Sequence, residues 1–325
     1  MQSMVLISGG VPEPERPRDA LARVRALRAN PPGLAGTEPE RHAVFGAALE
    51  QFEQLLGAAE LSGPASAPLP LFYALSQAGR AIAAARLRDP QRWDYTGHGL
   101  SGRKSYASTI GDARVTTQAS KRNNDAFQVV SDASGSPLFP AETSLRLGEL
   151  WASLPGLVVQ DGLGAGHPRA LGVHGDAGAN HGLTSFYEDL PDVESAEAWV
   201  SSQLQPYPHA RGGVAQVKRE YNRVEVYFRW PDARVEDLAE RDWSNDRYFY
   251  LRPAVVAAQP PPSILMTWWA ILFAFSQLAR YEPARWTAAI NPDTSVLTVP
   301  IEEGLRTAKR SLPRLVYHGI TGSWG

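Results

Sequence analysis

The stretch "SILMTWWAILFAFSQLAR", from Ser263 to Arg280, decides the fold of this chain. It is apolar almost without a break from Ile264 to Phe275, and this run is too short for a membrane span, which needs roughly 20 such residues. An apolar run of helical length that does not cross a membrane is typical of a helix buried in a protein core. The segment therefore predicts a buried helix in a cytoplasmic protein.

Helical patterns also lie on either side of this segment. Apolar residues at helical spacing, with prolines near the ends, predict further helices at Glu40–Ala59, Pro70–Leu87, Glu142–Leu154, Pro283–Ile290 and Pro300–Leu312. In the second of these, Gln77 and Arg80 lie outside the apolar face. The chain is therefore expected to be mainly α, as a helical bundle.

The remaining segments carry turn and strand signals. Alternating apolar and polar residues in "GVAQVKREYNRVEVYFRWP" predict a β-hairpin at 213–230. Residues 97–140 are expected to form loops and short strands, with alternation near "AFQVVSD", and the glycine-rich residues 158–182 a surface loop. Residues 1–39 are expected to form a flexible N-terminal arm with one short helical stretch. The predicted organisation is one helical domain at 40–325 with a small β insertion.

Composition and charge exclude several classes of function. The chain has 325 residues, 43% of them hydrophobic, and a formal net charge of -2, so no global positive field recruits nucleic acid. It has no cysteine, which excludes disulfides, thiolate metal sites and a cysteine nucleophile. No signal peptide and no membrane span are recognised, so a cytoplasmic location and no membrane partner are expected.

A glycine-rich turn, "DYTGHGLSGRKS" at Asp94–Ser105, resembles a phosphate-binding loop. A Walker A loop has the pattern G-x-x-x-x-G-K-[ST] and follows a buried strand. Here Arg103 is inserted before the lysine, and the preceding residues are charged and contain a proline, which argues against a nucleoside triphosphatase. Two interpretations stay open: a plain turn, or an anion site that binds phosphate through His98, Gly99, Arg103 and Lys104 without hydrolysing it.

The residues that follow this turn are basic. Between Ser101 and Asp125, the cations Arg103, Lys104, Arg114, Lys121 and Arg122 exceed the carboxylates by three. Such a loop suits RNA or single-stranded DNA, so Lys121 and Arg122 join the candidate ligand-binding residues. The nearly neutral chain as a whole favours the alternative, a solvated charged loop.

Three histidines recur every seven residues in the glycine-rich segment, at His167, His174 and His181. Together with Asp176 they would form a metal site only if the loop folded back on itself. Without a helix or strand, a spacing of seven residues does not hold the side chains in the geometry that a metal ion needs. Solvated loop histidines are the favoured interpretation, so no metal site and no cofactor are predicted. The local sequence "NHGLT" also repeats "GHGLS" of the turn around His98, which suggests two similar turns.

Several motifs carry a resemblance to a known family. The segments "PLFYALSQAGRAIAAA" and "GHGLS", and later "PSILMTWWAILFAFSQLARYEPARW", are similar to the YaaC-like family of bacterial proteins. In that family a late apolar helix runs into an Arg-Tyr-x-Pro-x-x-Trp segment, which here is Arg280, Tyr281, Pro283 and Trp286. The resemblance covers about Glu40 to Leu315 and implies no particular activity.

A more distant similarity is to HEPN domains, which are helical bundles of bacterial defence and toxin systems. In several of these an alanine-rich helix that begins at a tyrosine, here Tyr73, precedes a His-x-Gly loop, here His98 and Gly99. Ribonucleolytic HEPN domains use an Arg-x(4–6)-His motif, with the histidine as acid or base and the arginine holding phosphate charge. Arg92 and His98 have that spacing and are the candidate catalytic pair, although an arginine-rich chain also produces it by chance.

These observations lead to three hypotheses. The first is a non-catalytic protein that binds a phosphate-bearing ligand, nucleic acid or nucleotide, within a bacterial defence or stress assembly. The second is a metal-independent HEPN-like ribonuclease that uses Arg92 and His98. The third is a structural subunit whose exposed apolar helix faces bind a partner protein or a second copy of the chain.

Overall fold

The computed structural model describes the chain from residue 17 to residue 322 with short gaps. The described ranges are 17–90, 92–102, 109–118, 125–157, 162–175, 178–187, 189–192, 195–210, 212–235, 240–241, 249–257 and 259–322. Most of the regular structure in these ranges is α-helical, which confirms the mainly α prediction.

The described helices follow one another in chain order with short connections in the N-terminal and C-terminal thirds. They are α1 (Pro17–Leu27), α2 (Leu34–Thr37), α3 (Pro39–Glu60), α4 (Pro68–Arg86), α5 (Ala126–Ser134), α6 (Leu147–Ala152), α7 (Ala196–Leu204), α8 (Ile264–Tyr281), α9 (Pro283–Ala289) and α10 (Thr298–Thr321). In the parts of the chain that are described, no helix is both long and apolar enough to cross a membrane.

Helix α8 is the central helix that its sequence predicts. It begins after Ser263, whose hydroxyl accepts a hydrogen bond from the backbone N–H of Met266 and so satisfies one of the free donors of the first turn. Nearly every residue from Ile264 to Ser276 is buried. The helix emerges from the core only in its last turn, where Arg280 is exposed.

Helix α4 crosses α8 at a point where glycine lets the two helices approach closely. A Cβ on Gly79 would lie 2.6 Å from the ring of Trp269 and 2.8 Å from the hydroxyl of Tyr95, so a larger residue would push the helices apart. Helix α3 also packs against α4, and α10 lies against both α1 and α4. These helices share one large apolar core.

The described strands form three small antiparallel sheets of three strands each. The first has the order β1 (Leu100–Ser101), β2 (Arg114–Thr117) and β3 (Ser144–Arg146). The second has the order β4 (Leu171–Val173), β9 (Phe249–Leu251) and β8 (Glu240–Arg241). The third has the order β5 (His181–Phe186), β7 (Arg223–Arg229) and β6 (Val214–Glu220).

The second and third sheets share a separate, smaller core with helix α7. Arg252, just after β9, joins this region to the helices: its buried guanidinium donates to the carbonyl and hydroxyl of Ser153, to the carbonyl of Pro262 and to the hydroxyl of Thr267. A buried charge of this kind is tolerated because its donors have acceptors. Arg252 therefore holds the sheet region against the start of α8.

Several sequence predictions differ from the observed elements. The hairpin predicted at 213–230 is β6 and β7, but "AFQVVSD", expected as a short strand, is helix α5, so that prediction was wrong. Its residues Val129, Val130 and Ala133 are buried at helical spacing, and Gly135 ends the helix with a φ of 75°. Residues 142–154, expected to form one helix, contain β3 and α6. The predicted glycine-rich loop contains β4 and the start of β5.

The predicted N-terminal arm, residues 1–39, lies partly outside the described residues. Its described part contains α1 and α2, and Val24 of α1 belongs to the main core. Arg23 of the same helix lies over the ring of Tyr317, 3.8 Å from its centre, on α10. These contacts attach α1 to the C-terminal helix.

Candidate functional site

The turn around His98 is built by two glycines that adopt backbone conformations other residues avoid. Gly97 has a φ of 72° and Gly99 a φ of 70°. A Cβ on Gly99 would lie 2.1 Å from the backbone nitrogen of Phe127, at the start of α5, so this position requires glycine for space as well as for conformation. The chain then enters β1, where Leu100 pairs with Thr117.

His98 is half-buried among aromatic side chains of α4 and α8. Its ring centre lies 5.1 Å from that of Phe72, 6.2 Å from that of Tyr73 and 6.0 Å from that of Phe273. The indole N–H of Trp269 donates to its backbone carbonyl over 3.3 Å. The imidazole is thus held between the two central helices, and its buried Nδ1 has no hydrogen-bond partner within the described parts of the chain.

Two arginines, Arg80 of α4 and Arg280 of α8, act on this histidine. Burial is the largest cause that lowers the pKa of His98 below its usual value, and the positive charges of Arg280 and then Arg80 lower that pKa further. The imidazole is consequently held in its neutral form, in which one ring nitrogen accepts a hydrogen bond.

Neither arginine is neutralised by a carboxylate in the described structure. Arg80 donates to the backbone carbonyl of Tyr95 over 3.1 Å and lies over the Tyr95 ring, 5.2 Å from its centre. Arg280 donates to the hydroxyl of Tyr73 over 3.5 Å and lies 5.0 Å from the ring centre of Tyr281. Both guanidinium groups therefore retain donors for a further acceptor.

On both α4 and α8, other polar side chains share one helix face with the arginine. On α4, Tyr73, Gln77 and Arg80 are partly exposed at positions four and three residues apart, which lie on one helix face. On α8, Gln277 and Arg280 follow the buried Phe273 with the same spacing. The turn lies against this face of α8.

The end of the turn gives the closest approach to α8. A Cβ on Gly102 would lie 3.2 Å from Cγ of Gln277 and 3.5 Å from the ring of Phe273. The site therefore combines a neutral imidazole, two cations, a phenol and two amides. The cations, the phenol and the amides are groups that donate hydrogen bonds to anions, and the neutral imidazole also accepts one.

The structure places the candidate residues from the sequence in different situations. His98 and Gly99 form the turn just described, whereas Arg92 pairs with Asp125 over 3.3 Å and with Asp132 over 3.5 Å. Arg103, Lys104, Lys121 and Arg122 lie outside the described residues. The predicted Arg92–His98 pair stays a prediction, and the arginines that bear on His98 are Arg80 and Arg280.

The absence of a preceding strand agrees with the sequence argument against a Walker A loop. Helix α4 ends at Arg86, and residues 87–90 and 92–99 contain no strand. A P-loop needs a strand that delivers its backbone amides to the phosphates. The turn is held instead by a helix crossing and by the hydrogen bond that the backbone of Gln118 donates to the carbonyl of Gly99.

The three evenly spaced histidines are separated by different local structures. His167 lies against Gly148 of α6, His174 pairs with Leu183 beside β5, and His181 is an exposed residue of β5 opposite Arg229. Within the described ranges, no group of three His, Asp or Glu side chains is placed to hold a metal ion.

Arg280 is the site residue that the sequence reasoning assigned only to a family motif and to packing. It lies 200 residues beyond Arg80 in the chain. The sequence did contain one signal for Arg280, because the apolar pattern of α8 stops in its last turns. There Gln277 and Arg280 have the same three-residue spacing as Gln77 and Arg80 on α4. Two polar helix ends of this kind indicate a shared site only if the helices are known to pack against each other.

The fold and the site define a mainly helical protein with a half-buried histidine between its two central helices and an arginine from each helix near it. The family model described as YaaC-like Protein matches residues 31–320, so the chain belongs to that family. No curated protein and no solved structure matches the chain. The more distant similarity to HEPN domains is not supported by these comparisons.

Proposed function

We propose that this protein binds a phosphate-bearing ligand, a nucleotide or a nucleic acid segment, beside His98, Arg80 and Arg280. The observation that carries the proposal is the pair of guanidinium groups that both act on His98 while neither has a carboxylate partner in the described structure. From the sequence, the ligand is also predicted to contact the backbone of Gly99 and the basic residues Arg103, Lys104, Lys121 and Arg122.

Arg80 and Arg280 differ from the described arginines that pair with carboxylates on several faces of the protein: Arg25, Arg28, Arg41, Arg92, Arg146, Arg223, Arg285, Arg306 and Arg310. Like charges held near each other without a counter-ion repel, and an anion between them removes that repulsion. A phosphate is the anion whose oxygens match the planar donors of arginine.

The neutral His98 completes this arrangement. Its ring is already oriented by Phe72 and Phe273, so little side-chain entropy is lost when a ligand binds. A neutral imidazole accepts a hydrogen bond from a protonated phosphate oxygen or from a hydroxyl of the ligand. The site thus favours a phosphate monoester or a nucleotide over a simple halide or sulfate, which carry no such proton.

Binding is tested with three probes: inorganic phosphate and ADP by calorimetry, and a fluorescein-labelled ten-nucleotide RNA by anisotropy at low salt. The variant Arg280→Gln is suitable because this side chain is exposed and its loss leaves the core intact. It is expected to weaken binding about tenfold or more, since a hydrogen bond to a charged group is worth roughly 1.5–3 kcal/mol. For RNA, the salt dependence should fall by about one released counter-ion.

Arg310→Gln is the matched control, because Arg310 is exposed on α10 and paired with Glu303. It should bind all three probes as the unchanged protein does. The proposal is wrong if none of the probes binds, or if Arg280→Gln and Arg310→Gln bind equally well.

The same RNA probe separates the other two hypotheses. Cleavage of the RNA without metal, lost in both Arg92→Gln and His98→Gln, would establish the HEPN-like ribonuclease in place of a binding protein. Failure of all probes would favour a structural subunit. A cytoplasmic location and a role in a bacterial defence or stress assembly stay predictions from the sequence.

A further inference from the structure

Strand β6 forms one edge of the third sheet. It pairs with β7 on one side, whereas the opposite edge of the sheet, β5, meets the second sheet through the pairing of Leu183 with His174. Residues Val214, Ala215 and Gln216 of β6 are exposed. An exposed edge strand offers a row of backbone donors and acceptors to another chain.

The register of the hairpin shows which backbone groups are open. The two-residue turn Tyr221–Asn222 makes Glu220 and Arg223 a hydrogen-bonded pair, and the pattern then alternates along the strand. Lys218 and Gln216 consequently bond to β7. Val217 and Arg219 direct their N–H and C=O groups away from β7, and in the described structure these groups meet no backbone partner.

Charged side chains protect only one half of this edge strand from pairing with another chain. Residues 218–220 are Lys, Arg and Glu, and the guanidinium of Arg219 is bonded to the carbonyls of Pro191 and Arg223. Charged side chains are a common means of preventing unwanted strand pairing. Residues 214–217 carry no charge, so the edge is unprotected over four residues, or about 13 Å at about 3.3 Å per residue.

The unprotected half lines a groove of about 570 Å³ against α7. From the helix, Glu197, Val200, Ser201 and Leu204 line it, spaced as one face of an α-helix. From the strand, the four consecutive residues Val214–Val217 line it. The pairing of β6 with β7 shifts register between Val214 and Gln216, so the groove lies beside the part of the strand where the ladder with β7 is interrupted.

We infer that this groove binds a short extended peptide of a partner protein, which adds to the sheet as a further strand beside Val214–Val217. The open backbone groups specify an extended chain, and the exposed Val214 and half-buried Val217 favour apolar side chains in the peptide. Among the described residues that line the groove, Glu197 is the charged one, so it favours a basic residue at that end of the peptide. The inference is independent of the phosphate-binding proposal.

The probe is a fluorescein-labelled peptide of sequence Lys-Val-Thr-Val-Thr-Val, titrated with the full chain and followed by anisotropy. Hydrogen exchange should show slower exchange of the segment 213–221 when the peptide is bound, because the open amides become donors to it. A peptide with proline in place of both threonines, which removes two backbone donors, should bind at least tenfold more weakly.

Variants of α7 test the location. Ser201→Trp fills the groove without changing the strand, and it should reduce peptide affinity at least tenfold. Ser202→Trp is the matched control, because Ser202 is exposed on the same helix but does not line the groove. Glu197→Lys should weaken binding of the lysine-bearing peptide and strengthen that of a glutamate-bearing one.

Three outcomes would overturn the inference. The first is no binding of the peptide up to millimolar concentration. The second is equal binding by Ser201→Trp and Ser202→Trp. The third is protection of 213–221 that depends on protein concentration without any peptide, which would mean that the edge pairs with a second copy of this chain instead.

Discussion

Two segments of this protein have almost the same sequence and very different surroundings. In "GHGLS" at 97–101 the histidine and glycine precede strand β1, and in "NHGLT" at 180–184 they are the first two residues of β5. His98 is enclosed by the aromatic rings of two helices, whereas His181 is exposed on a sheet. Nearly identical residues therefore form a candidate site in one segment and not in the other, because different elements pack against them.

The glycines of the two segments differ in the same way. Gly99 has a φ of 70° and lies against the backbone of Phe127, which cannot move without displacing α5. Gly182 lies outside the left-handed region, and a Cβ there would lie 2.5 Å from a side-chain atom of Val173. The first glycine is required by conformation and backbone contact, the second by contact with one side chain.

The largest expected effect that separates the segments is on stability. Gly99→Ala should lower the free energy of unfolding by about 3 kcal/mol, from roughly 1–2 kcal/mol for the left-handed conformation and about 1–3 kcal/mol for overpacking. Gly182→Ala should cost only the overpacking, about 1–2 kcal/mol. Urea unfolding of both variants measures the difference, and equal losses would contradict the comparison.

A smaller effect is expected on the pH dependence of stability. The lowered pKa of His98 means that the unfolded chain binds its proton more readily than the folded chain, so His98 opposes folding as the pH falls below about 6.5. Above that pH the histidine is neutral in both states and this contribution vanishes. His98→Gln should therefore lose less stability than the unchanged protein between pH 7.5 and pH 5.5.

His181→Gln is the control for this measurement, because the side chain is exposed on β5. It should keep the acid sensitivity of the unchanged protein. Urea unfolding at the two pH values provides the comparison. Acid sensitivity that is the same in His98→Gln and in the unchanged protein would show that the burial of His98 has no energetic consequence.

The smallest expected effect is a fraction of one proton taken up when the ligand binds. A bound phosphate offsets the positive charges of Arg80 and Arg280, which lower the pKa of His98, so binding should raise that pKa. Calorimetry of ADP binding near pH 6.5, in two buffers of different ionisation enthalpy, measures this uptake. It should disappear in His98→Gln and persist in His181→Gln. Binding of ADP without proton uptake would place the phosphate away from His98.

Much of the fold was predictable because its signals are local. The apolar stretch of α8, the apolar face of α4 and the alternation of β7 each reflect contacts that repeat along one element. Helix α5 was missed because seven residues with three valine or phenylalanine side chains satisfy the strand pattern as well as the helical one. Its packing against α4 decides between them, and that contact lies far away in the chain.

The site was predictable only in part for the same reason. His98 and its glycines are adjacent in sequence, so the turn was recognised as the place for a site. Arg80 lies 18 residues before His98 and Arg280 lies 182 residues after it, and they meet because α4 and α8 cross at Gly79. No spacing rule covers such a distance, since the crossing is set by packing.

The buried Arg252 has a consequence for how this protein unfolds. If the sheet region separated from the helices, the carbonyls of Ser153 and Pro262 and the hydroxyl of Thr267 would lose their shared donor while still enclosed by apolar side chains. A partly opened molecule of that kind is costly, so the two cores are expected to melt together as a single cooperative unit. Ligand bound beside α8 would then protect the distant hairpin from proteolysis as well as its own site.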